Sequence, residues 1–203
     1  MTWLLDTRRY ARERPDAIGP GRLVLVVGPS GAGKDTLIGG ARAALAGDPS
    51  VVFPRRTVTR AATPHEDHAT MSPEEFRHAM AAEKFALWWD AHGHSYGIPA
   101  SVDDDIRADR TVVCNVSRTI VGIARNRYGS AVVVQVTAPA HVLAARLATR
   151  QRQSDGNLDQ RMARAPVGPD IGADVVIRNI SRPEVGVRRL LNVIRDPGFV
   201  LIS

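Results

Sequence analysis

The chain has 203 residues, of which 44% are hydrophobic and 24% charged, and its formal net charge is +6 at pH 7. A chain of this length can bury a core of its own and suits one α/β domain with small insertions rather than two independent units. No basic stretch is interleaved with aromatic residues that could stack on bases, so the positive charge favours a phosphorylated small molecule over nucleic acid.

The first 21 residues, MTWLLDTRRYARERPDAIGPG, contain few apolar residues before Asp6 and many charges after it. This pattern fits neither a secretory signal nor a membrane span, so we expect a cytoplasmic protein with no membrane partner. We interpret residues 1–21 as a loosely attached N-terminal extension that ends at Gly19-Pro20-Gly21.

The first predicted strand, RLVLVV at residues 22–27, leads into the glycine-rich sequence GPSGAGKDTL at residues 28–37. A helix is predicted over residues 36–47, so strand, glycine turn and helix follow in the order of a phosphate-binding loop. Glycines let the backbone N–H groups converge on a phosphate at the helix N-terminus, where a lysine adds positive charge. The residues predicted to bind phosphate are Gly28, Pro29, Ser30, Gly31, Ala32, Gly33, Lys34, Asp35 and Thr36.

Four further strand-like runs follow the loop, at residues 51–58, 111–116, 131–137 and 173–179, and helical segments separate them. This alternation predicts a parallel sheet of about five strands. SPEE at residues 72–75 and SRPE at residues 181–184 have the spacing of helix-capping boxes. Cys114 is the only cysteine, which excludes an intrachain disulfide, and the apolar run around it predicts a buried thiol.

Four sequence segments resemble the guanylate-kinase-like branch of the P-loop kinases. They are GPSGAGKDTL, VTRAATPHE at residues 58–66, FALWWDAHGHSYGIP at 85–99 and RLATRQRQSDGNLDQRM at 146–162. The resemblance implies a three-layer α/β/α kinase domain over residues 22–203, with an acceptor-binding insertion at about 56–100 and a helical lid at about 146–165. It also implies ATP as the phosphate donor and Mg²⁺ as a cofactor.

The departures from guanylate kinases indicate that guanine recognition is missing. That family carries F-L-E-W, whose glutamate reads guanine, and this chain has FALW with Leu87 at the acidic position. A second acid of the family, in D-I-D after a strand, is matched here by NVS, which ends at Ser117. Losing both acceptors would leave buried donors of guanine unpaired, at a cost of roughly 1–3 kcal/mol each.

The details that remain resemble the family of kinases that phosphorylate ribose 1,5-bisphosphate to phosphoribosyl pyrophosphate in phosphonate catabolism. They are GPSGAGKDTL with its aspartate, RRTVTR at residues 55–60, WDAHGHSYGIP at 89–99 and NVSR at 115–118, whereas RQRQ at 150–153 departs from the R-G-R-E expected there. The implied acceptor is a phosphorylated sugar. Two alternatives stay open: a nucleoside monophosphate kinase of altered base specificity, and a non-catalytic guanylate-kinase-like module that binds proteins. The intact Lys34 and loop glycines favour an enzyme.

The resemblance implies that cationic side chains supply the catalysis by aligning the substrates and neutralising their charge. A phosphate acceptor is already ionised near neutral pH, so no general base is needed. Lys34 is expected on the β- and γ-phosphates, and Asn179 at the adenine or in a turn. The lid arginines expected on the transferring group are Arg146, Arg150, Arg152 and Arg161. The residues expected to bind the acceptor are Arg56, Arg60, Tyr96, Ser117 and Arg118, with Glu66 on a ribose hydroxyl or orienting Arg60.

Asp35 occupies the position where a phosphate loop ordinarily carries a hydroxyl that binds magnesium. In a typical P-loop kinase an acid at the end of a neighbouring strand holds the ion from the other side, and this chain has Asn115 there. We hypothesise that the two groups are exchanged, so that Asp35 binds Mg²⁺ and Thr36 donates its hydroxyl to the nucleotide. The alternative is that Asp35 only stabilises its helix as an acid in the first turn. The sequence leaves the oligomeric state open, a homodimer included.

Overall fold

The computed structural model describes residues 16–61, 68–150 and 171–196. Nine strands and six helices lie within these residues. In chain order they are β1 Arg22–Val27, α1 Lys34–Ala44, β2 Val51–Val52, β3 Thr57–Val58, β4 Ala69–Thr70, α2 Pro73–Ala81, β5 Phe85–Ala91, β6 His94–Pro99, α3 Val102–Arg107, β7 Thr111–Asn115, α4 Val121–Arg127, β8 Ala131–Thr137, α5 Ala140–Arg150, β9 Val175–Arg178 and α6 Pro183–Arg195.

A five-stranded parallel sheet with the strand order β2–β7–β1–β8–β9 forms the centre of the domain. All six residues of β1 are buried, as expected for a parallel strand covered on both faces. Val24 and Val26 pack with α1, α5 and α6 on one face, whereas Leu23 and Leu25 pack with α3 and α4 on the other. The predicted three-layer arrangement and parallel sheet are therefore confirmed.

The single strand predicted over residues 51–58 is wrong, because this run contributes to two different sheets. Val51 and Val52 pair with β7 in the central sheet, whereas Thr57 and Val58 pair with β6. Pro54 lies between the two pairs, and a proline has no N–H to continue a ladder. The consequence is a connection, residues 53–56, that carries the chain from the central sheet into a second one.

The second sheet has four strands in the order β4–β3–β6–β5. Strands β5 and β6 form a hairpin whose two turn residues, His92 and Gly93, both have positive φ, as a tight type I′ turn requires. Leu87, Trp89 and Ile98 of this hairpin pack into the apolar cluster on the α3 and α4 face of the central sheet. The strands of the second sheet lie between residues 57 and 99, within the segment predicted as the insertion at residues 56–100.

Local sequence signals predicted the start of one helix correctly and the starts of two others incorrectly. At α2 the predicted capping box is confirmed, since Ser72 Oγ accepts from Glu75 N at 3.2 Å and the Glu75 carboxylate accepts from Ser72 N at 2.7 Å. The hydrogen bond from the Ser72 backbone N–H lowers the pKa of the Glu75 carboxyl. At α6 the box predicted at Ser181 is wrong, because Pro183 occupies the first helical position and makes Arg182 the N-cap, without a side-chain cap. Helix α1 begins at Lys34, two residues before the prediction, directly after the loop.

The last residues of the predicted N-terminal extension are held by the domain. Ile18 N donates to Arg127 O and Gly129 N donates to Ile18 O, both at 2.9 Å, and Gly21 N donates to Ile106 O at 2.9 Å. Loose attachment is therefore wrong for residues 16–21, and residues 1–15 lie outside the described part of the chain.

Cys114 is buried in β7, and this burial raises the pKa of its thiol. The buried thiol predicted from the sequence is confirmed. Among the described residues, none of the helices combines the length and the apolar character needed to cross a membrane.

The first prediction concerns the α2 cap. Ser72→Ala should lower the free energy of unfolding by about 1 kcal/mol, because it removes the acceptor for the Glu75 backbone N–H. Ser101→Ala is the matched control, since Ser101 is the N-cap of α3 and makes no side-chain cap hydrogen bond. Urea unfolding of both variants checks the difference, and equal losses would show that the α2 cap contributes nothing specific.

Candidate active site

The loop between β1 and α1 has the backbone shape that its glycines predict. Gly28, Gly31 and Gly33 have φ values of 144°, 81° and 92°, which non-glycine residues rarely adopt. A Cβ at Gly28 would lie 2.0 Å from the Val136 carbonyl oxygen of β8, and one at Gly33 would lie 2.4 Å from Asn179 Nδ2. Glycine is therefore required both by the loop conformation and by the close approach of its neighbours.

Lys34 follows the last loop glycine as the first residue of α1. Its Nζ donates to Gly28 O at 2.7 Å and to Pro29 O at 3.0 Å, so the side chain folds back across its own loop. The backbone N–H groups of the first turn of α1 stand beside this cation. A helix N-terminus with an adjacent ammonium group is suited to an anion such as phosphate.

Two residues from other elements bind the carbonyl side of the loop. Asn179, which follows β9, donates from Nδ2 to Ala32 O at 2.8 Å and is only 6% exposed. Arg146 of α5 donates from Nη2 to Asn179 O at 2.9 Å, and its Nη1 lies 3.5 Å from Gly31 O. The structure thus brings two predicted site residues against the loop, and Asn179 contacts its backbone there.

Asp35 and Asn115, the two groups of the hypothesised exchange, lie in direct contact. Asn115 is the last residue of β7 and donates from Nδ2 to Asp35 Oδ1 at 2.7 Å. Arg56 Nη2 lies 3.9 Å from the same oxygen. Because β7 runs parallel to β1, its carboxyl end reaches the edge of the sheet where the loop begins.

The Asp35 side chain is 49% exposed, so its carboxylate can reach an ion in solvent. Among the described residues, no group of three or more His, Cys, Asp or Glu side chains is placed to hold a metal. Magnesium does not need such a cage, because it commonly binds one or two carboxylates together with substrate phosphates. A carboxylate at the mouth of a phosphate loop therefore fits a magnesium ion.

Arg56 also contacts the second sheet. Its guanidinium lies 5.9 Å from the centre of the Tyr96 ring, and the Tyr96 ring stacks on Trp89 with their centres 5.3 Å apart. Both distances are within the range of favourable aromatic contacts. Arg56 is thus positioned between the loop helix and the predicted acceptor-binding insertion.

The backbone of Arg60 is held by two side chains of the chain segment that follows it. Its carbonyl oxygen accepts from Thr70 Oγ1 at 3.3 Å and lies 3.3 Å from Nε2 of His68. His68 is 1% exposed, and its contact with Arg60 is not foreseen from the sequence. A histidine in a polar segment carries no local signal of burial, so only the tertiary structure reveals it.

The two positions where guanylate kinases carry guanine-reading acids have structural roles in this chain. Leu87 is 2% exposed and belongs to the apolar core. Ser117 Oγ accepts from Thr119 N at 3.3 Å and from Thr119 Oγ1 at 2.9 Å, and so caps the short 3-10 turn Arg118–Ile120. Arg118, predicted to bind the acceptor, begins this turn at the edge of the central sheet. Neither position offers a carboxylate to a base.

The remaining predicted residues cannot be placed in the site. Glu66, Arg152 and Arg161 lie outside the described residues, and only the backbone of Arg150, at the end of α5, is described.

The central parallel sheet, the glycine loop and the lysine that opens α1 define a P-loop kinase fold. A guanylate kinase from Anaplasma phagocytophilum shares this fold, with a TM-score of 0.63, 18% sequence identity and coverage of 87% of this chain and 86% of that one. No family model matches the sequence.

Three relatives carry the name ribose 1,5-bisphosphate phosphokinase PhnN. The protein of Bradyrhizobium diazoefficiens is 53% identical over 93% of this chain and 96% of its own length. That of Rhodopseudomonas palustris is 54% identical over 91% and 94%, and that of Acidiphilium cryptum is 49% identical over 86% and 92%. The chain belongs to the ribose 1,5-bisphosphate phosphokinase family.

The second prediction tests the packing of the loop. Gly28→Ala should lower the free energy of unfolding by more than about 2 kcal/mol, because the new methyl group would meet the Val136 carbonyl at a φ that alanine avoids. Gly39→Ala is the matched control, since Gly39 lies in α1 and a methyl group there would have no neighbouring atom within 4 Å. That change should raise stability by about 0.5–1 kcal/mol. Thermal and urea unfolding measure both, and a Gly28→Ala variant as stable as the parent would contradict the packing described.

Proposed function

We propose that the chain transfers the γ-phosphoryl group of ATP to ribose 1,5-bisphosphate and so forms 5-phosphoribosyl 1-diphosphate, as a step of phosphonate catabolism. The observation that carries the proposal is an intact phosphate loop in a chain whose two base-reading acids are replaced, by Leu87 in the second sheet and by Ser117 after β7 of the central sheet. The names of the close relatives support the same acceptor. A cytoplasmic location is part of the proposal, and the oligomeric state is left open.

On the donor side, the loop N–H groups and Lys34 would hold the β- and γ-phosphates of ATP. Lys34 now donates to the Gly28 and Pro29 carbonyls, so its ammonium group is already at the loop before the nucleotide binds. Arg146 lies next to Gly31 of the same loop. These cations would neutralise the charge that accumulates on the oxygens of the transferring group. Arg150, Arg152 and Arg161 remain predicted members of the same set.

On the acceptor side, we assign Arg56, Arg60, Arg118 and Tyr96 to the two phosphates of the sugar. The side chain of Arg56 is 18% exposed and stands between Asp35 and the Tyr96 ring, which places a cation where the donor and acceptor halves meet. Because an acceptor phosphate is already ionised, its oxygen can attack without a general base. Alignment of the two anions and neutralisation of their repulsion would supply the catalysis. Glu66 remains a predicted ligand of a ribose hydroxyl.

Asp35 is the residue that we propose to hold magnesium, with Thr36 turned to the nucleotide phosphates. When bound there, the ion would supply positive charge to the β- and γ-phosphates. Asn115 donates to Asp35 Oδ1 and so orients the carboxylate towards the loop without adding a second negative charge. Arg56 Nη2, at 3.9 Å from the same oxygen, stabilises the ionised carboxylate.

The third prediction concerns the acceptor. With ATP and Mg²⁺, ADP release should be faster with ribose 1,5-bisphosphate than with ribose 5-phosphate, guanosine monophosphate or other nucleoside monophosphates. Lys34→Ala is the control for contaminating kinases and should reduce the rate by about 10³-fold or more, because it removes the charge on the β- and γ-phosphates. Faster turnover with a nucleotide would replace the proposal with the nucleoside monophosphate kinase alternative.

The absence of turnover with every acceptor, in a protein that still binds ATP, would support the non-catalytic module instead. A Lys34→Ala variant with nearly normal turnover would equally reject the catalytic role of the loop.

The fourth prediction tests the exchange of Asp35 and Asn115. At saturating ATP, Asp35→Ser should raise the Mg²⁺ concentration for half-maximal rate by about 10-fold, because the only carboxylate proposed for the ion is lost. Adding Asn115→Asp should recover part of this loss, since a carboxylate then returns from the neighbouring strand.

Asp104→Ser is the matched control for this experiment, because Asp104 is an exposed acid in the first turn of α3 and lies away from the loop. Its magnesium dependence should equal that of the parent. If Asp35 only stabilises its helix as an acid in the first turn, Asp35→Ser should show the magnesium dependence of the control and lose only about 0.3–1 kcal/mol of stability. Additive losses in the double variant would also argue against the exchange.

A further inference from the structure

The carbonyl groups of the phosphate loop need hydrogen-bond donors on the side away from the ligand. In a trans peptide the C=O and the following N–H point in opposite directions. A loop that turns its N–H groups towards an anion must therefore turn carbonyl groups towards the protein. A buried carbonyl needs a donor, because leaving it unpaired costs free energy.

Side chains supply these donors around the loop. Lys34 donates to the carbonyls of Gly28 and Pro29, and Arg146 lies within reach of that of Gly31. The carbonyl of Ala32 accepts from Asn179 Nδ2 at 2.8 Å. Lys34 and Arg146 are long, partly exposed cations that can move to a ligand, whereas Asn179 is short and buried.

Asn179 is held by hydrogen bonds at its backbone and by close packing around its side chain. Its backbone N–H donates to Thr137 O of β8 at 2.8 Å, and its carbonyl accepts from Arg146. Its side chain lies between two glycines, because a Cβ at Gly33 would come within 2.4 Å of Nδ2 and one at Gly186 within 3.3 Å of Oδ1. The amide therefore fills the space between the loop and the start of α6.

We propose that Asn179 is a positioning residue of the phosphate loop. Its amide fixes the peptide between Ala32 and Gly33, so that the Gly33 N–H faces the phosphates of the nucleotide. The role differs from the adenine contact or turn position expected from the sequence, because the Asn179 side chain donates to the loop backbone at Ala32 O. It rests on the proposed function only in that the loop binds a triphosphate, and it is independent of the acceptor.

An adenine contact and a loop-positioning role predict different effects of the nucleobase on binding. A residue that reads adenine discriminates ATP from inosine triphosphate, in which a carbonyl replaces the adenine amino group. A residue that positions the loop affects every triphosphate alike, inorganic tripolyphosphate included, because it acts on N–H groups that touch phosphate only.

The experiment measures the dissociation constants of ATP, inosine triphosphate and tripolyphosphate by calorimetry, with Mg²⁺ and without any acceptor. Asn179→Ala removes the donor, and Asn179→Asp keeps the shape of the side chain while placing an acceptor against the Ala32 carbonyl. Both should raise the dissociation constants of all three ligands by one common factor of about 10-fold to 100-fold. Asn192→Ala, an exposed asparagine of α6, is the matched control and should leave all three unchanged.

Two results would overturn the proposal. A loss confined to ATP, with inosine triphosphate and tripolyphosphate unaffected, would restore the adenine contact. Unchanged affinities together with a lower melting temperature would leave Asn179 a purely structural residue.

A measurement on the parent protein covers the case in which the variants do not fold. The side-chain amide resonances of Asn179 should stay protected from solvent exchange and respond in the same way to ATP and to tripolyphosphate. A response to ATP alone would contradict the proposal. Failure of ribose 1,5-bisphosphate as an acceptor would leave all of these outcomes intact, so the two proposals fail separately.

Discussion

A backbone can present N–H groups to an anion only when its carbonyl groups are hydrogen-bonded on the opposite side. This constraint determines how the loop after β1 packs against its neighbours at the end of the central sheet. The loop after β1 lies against the carbonyl of Val136 in β8, so closely that only glycine fits at position 28. The end of β9 supplies Asn179, and α5 supplies Arg146. The order β7–β1–β8–β9 thus places the end of β9, with Asn179, on one side of the loop, and the end of β7, where Asn115 contacts Asp35, on the other.

The two sheets of the molecule meet at a short connection. Residues 53–56 leave the central sheet after β2 and enter the second sheet at β3, and Arg56 lies at the crossing point. Its guanidinium is close to Asp35 on one side and to the Tyr96 ring on the other. One cation therefore contacts both α1 and the second sheet, and under the proposed function it would bind a substrate phosphate held between them. This arrangement suits a reaction in which two anions must be brought together.

Local patterns were sufficient for much of the fold and for the backbone shape of the loop after β1. The glycines of the loop, the full lengths of β1 and β8 and the cap at Ser72 depend on residues adjacent in sequence, and each was predicted correctly. The contact of Asp35 with Asn115 was not predicted, although the parallel order of the strands brings the end of β7 to the loop. The separation of β2 from β3 was missed because strand propensity does not say which sheet a strand joins. The contacts of His68 and Asn179 were missed because they join residues whose burial is set by distant parts of the chain.

The position of Cys114 has a practical consequence for studying this kinase in solution. The thiol is buried in β7, between β2 and β1, and its raised pKa keeps it protonated at the pH of most labelling reactions. Maleimide or nitroxide reagents should therefore not react with Cys114. A cysteine introduced on the exposed surface of the second sheet could be modified selectively in an otherwise native background, and distances between the two sheets could be followed as substrates are added.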